Sequence, residues 1–379
     1  MRLLVCVPWF APARAFGGTV TVAIAEVKGV LEAGHEVTVA TTDALDLHSR
    51  VPDDAPSEPE GARVVRFRNV SQRLAGTNVP LPRGLHGWLR AHVREFDVVL
   101  VPDVYSAVSV LAARAAVEAR VPYALQALGT LPATPERGRS AAKRAFLSLW
   151  GRRTVREAAA CLYLSEAERL EYLAQGAEPA RLHALPPPLD LPEPGEIARA
   201  GEPTVVYLGQ LHPIKRVGAL LDAFERVRRE LPEARLEVIG APSRHGAELQ
   251  ARAGEGVVFR GLIPEEEKAG ALGRAHVFSL LSASEGLPVT VLESLACGTP
   301  VVISPGCGLP EVDGVAGIVC DGSAGSAADG LLTILRDPEL ARRLGEAGRN
   351  FSASYRREVV VPELVALLER LASSSSSAA

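Results

Sequence analysis

The 379-residue chain carries 41 Lys and Arg against 45 Asp and Glu, a formal net charge of -4, with 47% hydrophobic and 23% charged residues. That balance excludes a generally basic nucleic-acid binder, and the length allows two domains or three small ones of a globular enzyme. Five cysteines, at positions 6, 161, 297, 307 and 320, show no metal-ligand spacing and read as reduced thiols of a cytosolic protein.

The start, MRLLVCVPWF, is too short and too soon broken by proline for a signal peptide. A buried strand is expected at residues 2–9, then a loop with Pro8, Pro12, Gly17 and Gly18, then a helix from Thr19 to Ala33 ended by Gly34, and a strand at 36–42. This strand–loop–helix–strand unit opens a doubly wound parallel sheet. Gly17 and Gly18 would let the backbone approach a ligand, or simply make a tight turn. No Gly-x-Gly-x-x-Gly occurs, so the nicotinamide-cofactor fingerprint is missing.

Residues 48–62 read as a surface loop, 64–67 as a strand and 69–83 as a mobile loop. Further strands are expected at 97–101, 122–125 and 161–164, with helices at 107–119, 141–159 and 166–174. The apolar run 98–117 contains Asp103 and Arg114 and fits a strand plus a helix rather than a membrane span. The helix 141–159 carries Lys143, Arg144, Arg152, Arg153 and Arg156 beside Phe146, Leu147, Leu149 and Trp150. It reads either as a core helix with solvated arginines or as a contact with an anionic membrane surface.

The division expected is an N-terminal domain over 1–186, a Pro- and Gly-rich linker over 187–203, and a C-terminal domain over 204–356. A helix over 357–371 would return to the N-terminal domain, ahead of a disordered tail, 372–379. In the second domain strands are expected at 204–208, 235–240, 257–259, 276–281 and 300–303, with helices between them, one at 219–230.

The stretch 282–298, SASEGLPVTVLESLACG, is the most informative. It follows a buried strand, turns at Glu285-Gly286-Leu287, and enters a helix expected over 288–297, with Pro288 first and Gly298 as its stop. The helix is apolar except for Glu293, and a carboxylate there requires a partner. Its first amides point outward without internal partners, which makes an anion site. In the same domain the strand 204–208 runs into Gly209, Gln210, Leu211, His212, Pro213, Ile214, Lys215 and Arg216 at a helix start. An ammonium and free helix amides together suit a diphosphate.

Four stretches give the chain a family likeness: Pro8 to Gly18 with Gly34-His35-Glu36-Val37; Gly209 to Lys215; Phe259-Arg260-Gly261-Leu262; and Glu285-Gly286-Leu287-Pro288 through Glu293 to Val302. On these the chain resembles the retaining glycosyltransferases of the GT-B fold, the group 1 or family 4-like enzymes. The resemblance implies two Rossmann-like domains facing across a cleft that closes to exclude water. It implies transfer of a sugar from a UDP- or GDP-linked donor to a glycan, lipid-linked or small-molecule acceptor, with retention; no Asp-x-Asp stands near a strand end, so no metal is expected to hold the diphosphate. Lys215 would hold the diphosphate, helped by Gly209, Gln210 and Arg216. Glu285 would hold a hydroxyl of the sugar, and Glu293 both ribose hydroxyls. The amides of Gly286, Leu287 and Val289, around Pro288, would meet phosphate or sugar oxygens. Backbone near Leu262 would meet the base, and Gly17 and Gly18 the diphosphate. Lys215 and Glu285 are the catalytic candidates. Two positions depart from the pattern: Gln210 where the family usually has arginine, and Leu128 where it often has histidine. These keep two alternatives open, a nucleotide-sugar epimerase and a non-catalytic nucleotide-sugar-binding protein. The expected location is cytoplasmic or peripheral at the inner membrane face.

Overall fold

The computed structural model describes residues 1–46, 48–53, 55, 59–72, 74, 79–131, 140–193 and 199–376. The chain forms two compact units. The first takes the described residues up to Asp190 and the segment from Tyr355 onward; the second takes those from Leu191 to Ser354.

The first unit is a seven-stranded parallel sheet in the order β3-β2-β1-β4-β5-β6-β7. Its strands are β1 (Arg2–Cys6), β2 (Glu36–Thr42), β3 (Arg63–Phe67), β4 (Val98–Val101), β5 (Tyr123–Gln126), β6 (Ala160–Tyr163) and β7 (Leu182–Ala184). Side chains alternate between the faces of β1. Leu3 and Val5 join one apolar core, with helix α1 (Gly18–Glu32), and Leu4 and Cys6 join the other. That other core is covered by α2 (Leu85–His92), α3 (Ala107–Ala119), a broken helix over 140–156, and α6 (Glu166–Ala174). The break matters: instead of one helix over 141–159, α4 (Ser140–Phe146) passes through a π turn at Leu147–Gly151 into α5 (Arg152–Arg156). Leu147 and Val155 stay buried, while Leu149 and Trp150 are turned outward. The expected helix at 141–159 also ran too far, since α5 ends at Arg156. Helix α2 was not expected; GLHGWLRAH has two glycines, and only the buried pair Leu85 and Leu89 marks it.

The described part of 69–83 is a pinned arm rather than a free loop. Val70 N–H donates to Leu81 O at 2.9 Å, and Asp43 accepts from the backbone and side-chain nitrogens of Asn69.

The second unit is a six-stranded parallel sheet in the order β10-β9-β8-β11-β12-β13. Its strands are β8 (Thr204–Leu208), β9 (Arg235–Ile239), β10 (Val257–Gly261), β11 (Val277–Leu280), β12 (Val301–Ile303) and β13 (Gly317–Val319). Its helices are α7 (Val217–Glu230), α8 (Arg244–Arg252), α9 (Glu265–Arg274), α10 (Val289–Ala296), α11 (Ala324–Arg336) and α12 (Pro338–Ala353). β8 and β11 are buried throughout, as strands covered on both faces must be. Part of the Pro-rich linker, residues 194–198, lies outside the described residues; beyond it the Arg199 guanidinium donates to Gly298 O and Thr299 Oγ1.

The final helix α13 (Arg357–Ser376) belongs to the first unit, with Val360, Leu364 and Leu368 in the α1 core. It touches α1 at Gly29, where an added Cβ would lie 2.3 Å from Val361. It also runs past Leu371, through residues read as a disordered tail. Ser373 and Ser374 donate to Glu369 O and Leu371 O, and Leu371 packs on the core. Residues 377–379 lie outside the described residues.

Candidate functional site

In each unit the strand order reverses next to its first strand, at β1/β4 and at β8/β11. Ligands of open parallel sheets bind beyond the carboxyl ends of strands at such a switch point. The candidate residues sit there. Gly17 and Gly18 follow β1, and Gly209, Gln210, Lys215 and Arg216 follow β8. Glu285 to Val289 follow β11. Leu262 follows β10 at the sheet edge and is 75% exposed, which leaves its backbone reachable from solvent.

Gly17 has φ 79° and ψ -147°, a conformation open only to glycine. It caps α1, accepting the N–H of Val20 at 3.0 Å. In the second unit Gly209 N–H donates to Ile239 O, and Gly240 lies so close that a Cβ there would meet Gly209 O at 2.2 Å. Tyr207, fully buried, donates its hydroxyl to Gln210 O at 2.8 Å and fixes the turn. His212 spends its ring nitrogen on capping, accepting Ile214 N–H at 3.2 Å. Arg216 has φ 52°, and its guanidinium reaches to Gly322, where an added Cβ would lie 3.0 Å from it.

Lys215 and Glu285 come together. The ammonium lies 2.7 Å from both carboxylate oxygens, and Ser282 Oγ donates to the same carboxylate. Glu285 is nearly buried, 9% exposed at its side chain. Three loops hold it there. Ala283 N–H donates to Ile214 O at 2.8 Å, Glu285 N–H to Gly306 O at 2.7 Å, and Ser304 Oγ to Ser282 O at 2.6 Å. Gly306 cannot bear a side chain, since its Cβ would lie 2.2 Å from Ser282 O. Ser282, Ser304 and Gly306 were missed in the sequence. The signal for the last two was the Ser-Pro-Gly turn at the carboxyl end of a strand.

The helix start corrects two expectations. α10 spans Val289–Ala296, so Pro288 is its cap rather than its first residue: its carbonyl accepts from Val291 and Leu292. Pro288 has φ -81° and ψ 73°, and the Val289 N–H folds back onto Leu287 O at 3.0 Å. The Val289 amide is therefore taken. The N–H groups of Gly286, Leu287 and Thr290 have no backbone partner among the described residues.

Glu293 stands on the second turn of α10, 9% exposed, and its Oε2 has no hydrogen-bond partner among the described residues. Burial pushes its pKa up; Lys268 pulls it down and Glu265 raises it again. Lys268 pairs with Glu265 at 2.8 Å, and among the described residues no salt bridge reaches Glu293. Leu128 is buried with φ 50°, next to Gly129. Gly129 N–H donates to the buried Glu168 at 2.6 Å.

Two parallel-sheet Rossmann-like units with a charged, amide-lined site at a switch point define a GT-B glycosyltransferase architecture. The comparisons agree. Residues 17–188 match the family model for the glycosyl transferase 4-like domain, and residues 194–351 that for glycosyl transferases group 1. The chain belongs to the group 1, family 4-like glycosyltransferases. A GDP-mannose-dependent alpha-(1-6)-phosphatidylinositol monomannoside mannosyltransferase of Mycolicibacterium smegmatis is 32% identical over 231 residues, 53% of this chain and 59% of that protein. A D-inositol 3-phosphate glycosyltransferase of Kribbella flavida is 31% identical over 246 residues, 58% of each. The chain thus matches somewhat over half the length of these curated relatives. In fold it resembles Anabaena HepE in complex with UDP and glucose, at TM-score 0.76 and 16% identity over 98% of this chain and 100% of that one. It also resembles the sucrose-phosphate synthase of Thermosynechococcus elongatus, at TM-score 0.74 and 20% identity over 99% and 100%. No helix among the described residues is long and apolar enough to cross a membrane.

Proposed function

We propose that the chain transfers a sugar from a nucleoside-diphosphate sugar to an acceptor hydroxyl with retention at the anomeric carbon. The observation that carries this is Glu293. A buried carboxylate with an unsatisfied oxygen is costly unless a ligand completes it, and the vicinal diol of a ribose offers two donors. Lys215, Arg216 and the N–H groups of Gly286, Leu287 and Thr290 would then receive the diphosphate, Glu285 a hydroxyl of the sugar, and the backbone at Leu262 the base. Diphosphate charge falls to these cations and amides, so the proposal needs no metal. Glu285 is held by Lys215 and Ser282 and is not posed as a nucleophile. Instead the acceptor oxygen bonds to the anomeric carbon on the face from which the diphosphate departs. The acceptor proton passes to the departing phosphate oxygen as the carbon–oxygen bond breaks.

The names of the relatives make GDP-mannose the first donor to test and UDP-sugars the second, with an acceptor carried on an inositol phosphate or a lipid. The test is calorimetric titration of GDP and UDP into wild type and Glu293→Gln, followed by transfer assays with and without acceptor. A nucleoside diphosphate that binds both proteins equally overturns the ribose assignment. Turnover of the donor to an epimer without acceptor overturns the transfer reading.

A further inference from the structure

One leucine of the first unit holds a backbone conformation that its own side chain makes unfavourable. Leu128 has φ 50° and Gly129 φ 70°, two left-handed residues in succession. Among the described residues only Arg120, Leu128 and Arg216 have a positive φ without being glycine, and Leu128 is the apolar one of the three. A glycine takes this conformation freely, whereas the Cβ of a leucine crowds the carbonyl oxygen that follows it.

Core packing does not account for the leucine. Ala127 and Leu131, on either side of the turn, share the core covered by α3, but Leu128 takes part in neither apolar core of the unit. The turn is held all the same. Glu168 on α6, fully buried, accepts Gly129 N–H at 2.6 Å with one oxygen and Leu164 N–H at 2.9 Å with the other. Thr130 donates its N–H and its hydroxyl to Ala127 O, and Tyr105 donates its hydroxyl to Leu131 O at 2.7 Å. Tyr105 follows β4, one of the two strands at the switch point, and the turn itself follows the neighbouring β5. Strain of this kind persists where the surroundings over-determine it, and it clusters at functional sites.

We propose that Leu128 is a specificity residue that meets a deoxygenated carbon of the substrate, a methyl or methylene where a common sugar or polyol bears a hydroxyl, and that Glu168 positions it. A hydroxyl pressed against leucine gives up its hydrogen bonds to water and gains none, while a methyl or methylene gives up nothing. The side chain thus has a task that glycine could not perform, which is why the strain is kept. The inference deepens the transfer reading above and rests on it for the molecules to try.

The test is calorimetric affinity for GDP-mannose, UDP-glucose and inositol phosphate, each against analogues lacking one hydroxyl at a time. Wild type should prefer one analogue over its hydroxylated parent about tenfold, the lower end for a single apolar contact. Whether that analogue is a donor or an acceptor tells which substrate Leu128 meets. Leu128→Gly should abolish the preference and leave GDP and UDP affinity unchanged. Its melting temperature should fall far less than that of Leu131→Gly, which opens a cavity in the core, because at 128 strain is relieved and no core contact is lost. Glu168→Gln keeps the volume but turns one oxygen into an NH2 that cannot accept. It should shrink the preference, and added to Leu128→Gly it should change the preference no further. No preference anywhere in the panel overturns the proposal. So does a melting loss at 128 equal to that at 131, or a double variant whose losses add. Failure of wild type to bind GDP or UDP would strike the donor-site reading instead, and the melting comparison does not depend on it.

Discussion

Glu293→Gln should weaken nucleoside diphosphate binding by about 1–3 kcal/mol, the range for losing hydrogen bonds to a charged group; calorimetry reads it directly. Lys215→Ala should weaken the nucleoside diphosphate far more than the bare nucleoside, because its proposed partner is phosphate. A second buried carboxylate behaves differently. Glu26 on α1 is 1% exposed, and neither of its oxygens makes a hydrogen bond of ordinary geometry. Burial raises its pKa to about 8, with Gln126 alongside pulling the other way. The folded chain therefore holds a proton between pH 4.5 and about 8 that the unfolded chain releases, and this group's contribution to stability falls as pH rises through that window. Glu26→Gln should raise the melting temperature at pH 8 and leave it nearly unchanged at pH 4.5. Equal shifts at both pH values would refute the assignment. Glu293 and Lys215 were legible in the sequence, because a lone charge on an apolar helix or beside a glycine turn stands out. Glu26 was not: it shares α1 with Lys28 and Glu32, which are not buried, and only the fold shows it enclosed with Gln126 alongside.

At the level of elements, strands were the most legible part. Parallel strands buried on both faces read as short apolar runs, and β2 and β8 fall where those runs lie. The helix starts were less so. Pro288 suits a first helical position by propensity, but the fold-back of Val289 N–H onto Leu287 O moves the start one residue on, a local bond that composition does not announce. The loop lacing was invisible, since it depends on carbonyls of distant segments. It makes a prediction: Gly306→Ala must push a Cβ against Ser282 O and so displace the loop that carries Glu285. Overpacking of this kind costs about 1–3 kcal/mol of stability. Donor turnover should drop by more than the melting shift explains, and a turnover loss matching destabilisation alone would show that the lacing does not position the carboxylate.

For the whole molecule, the chain crosses into the second unit at Leu191 and comes back at Tyr355. Removing residues from 355 onward strips Leu364 and Leu368, both fully buried, from the core around α1. Such a truncation should abolish cooperative unfolding of the first unit in calorimetry while the second still melts and is still stabilised by nucleoside diphosphate. The last helix was legible from its apolar period, but the register of Val361 over Gly29 requires two segments more than three hundred residues apart and no local pattern encodes it.

The Lys215–Glu285 pair sets a rule for turnover. Each charge has the other as its partner, with Nζ at 2.7 Å from both oxygens. An incoming donor must separate them, and on the proposed reading it replaces both contacts at once, with phosphate for the ammonium and a sugar hydroxyl for the carboxylate. The spent nucleotide replaces only one. Once the sugar has gone, Glu285 competes again with the diphosphate for Lys215, and the pair re-forms by expelling product. If the proposed function holds, the chain should resist inhibition by its own leaving group, and Glu285→Gln should lose that resistance: nucleoside diphosphate would bind it more tightly than wild type even as transfer fails.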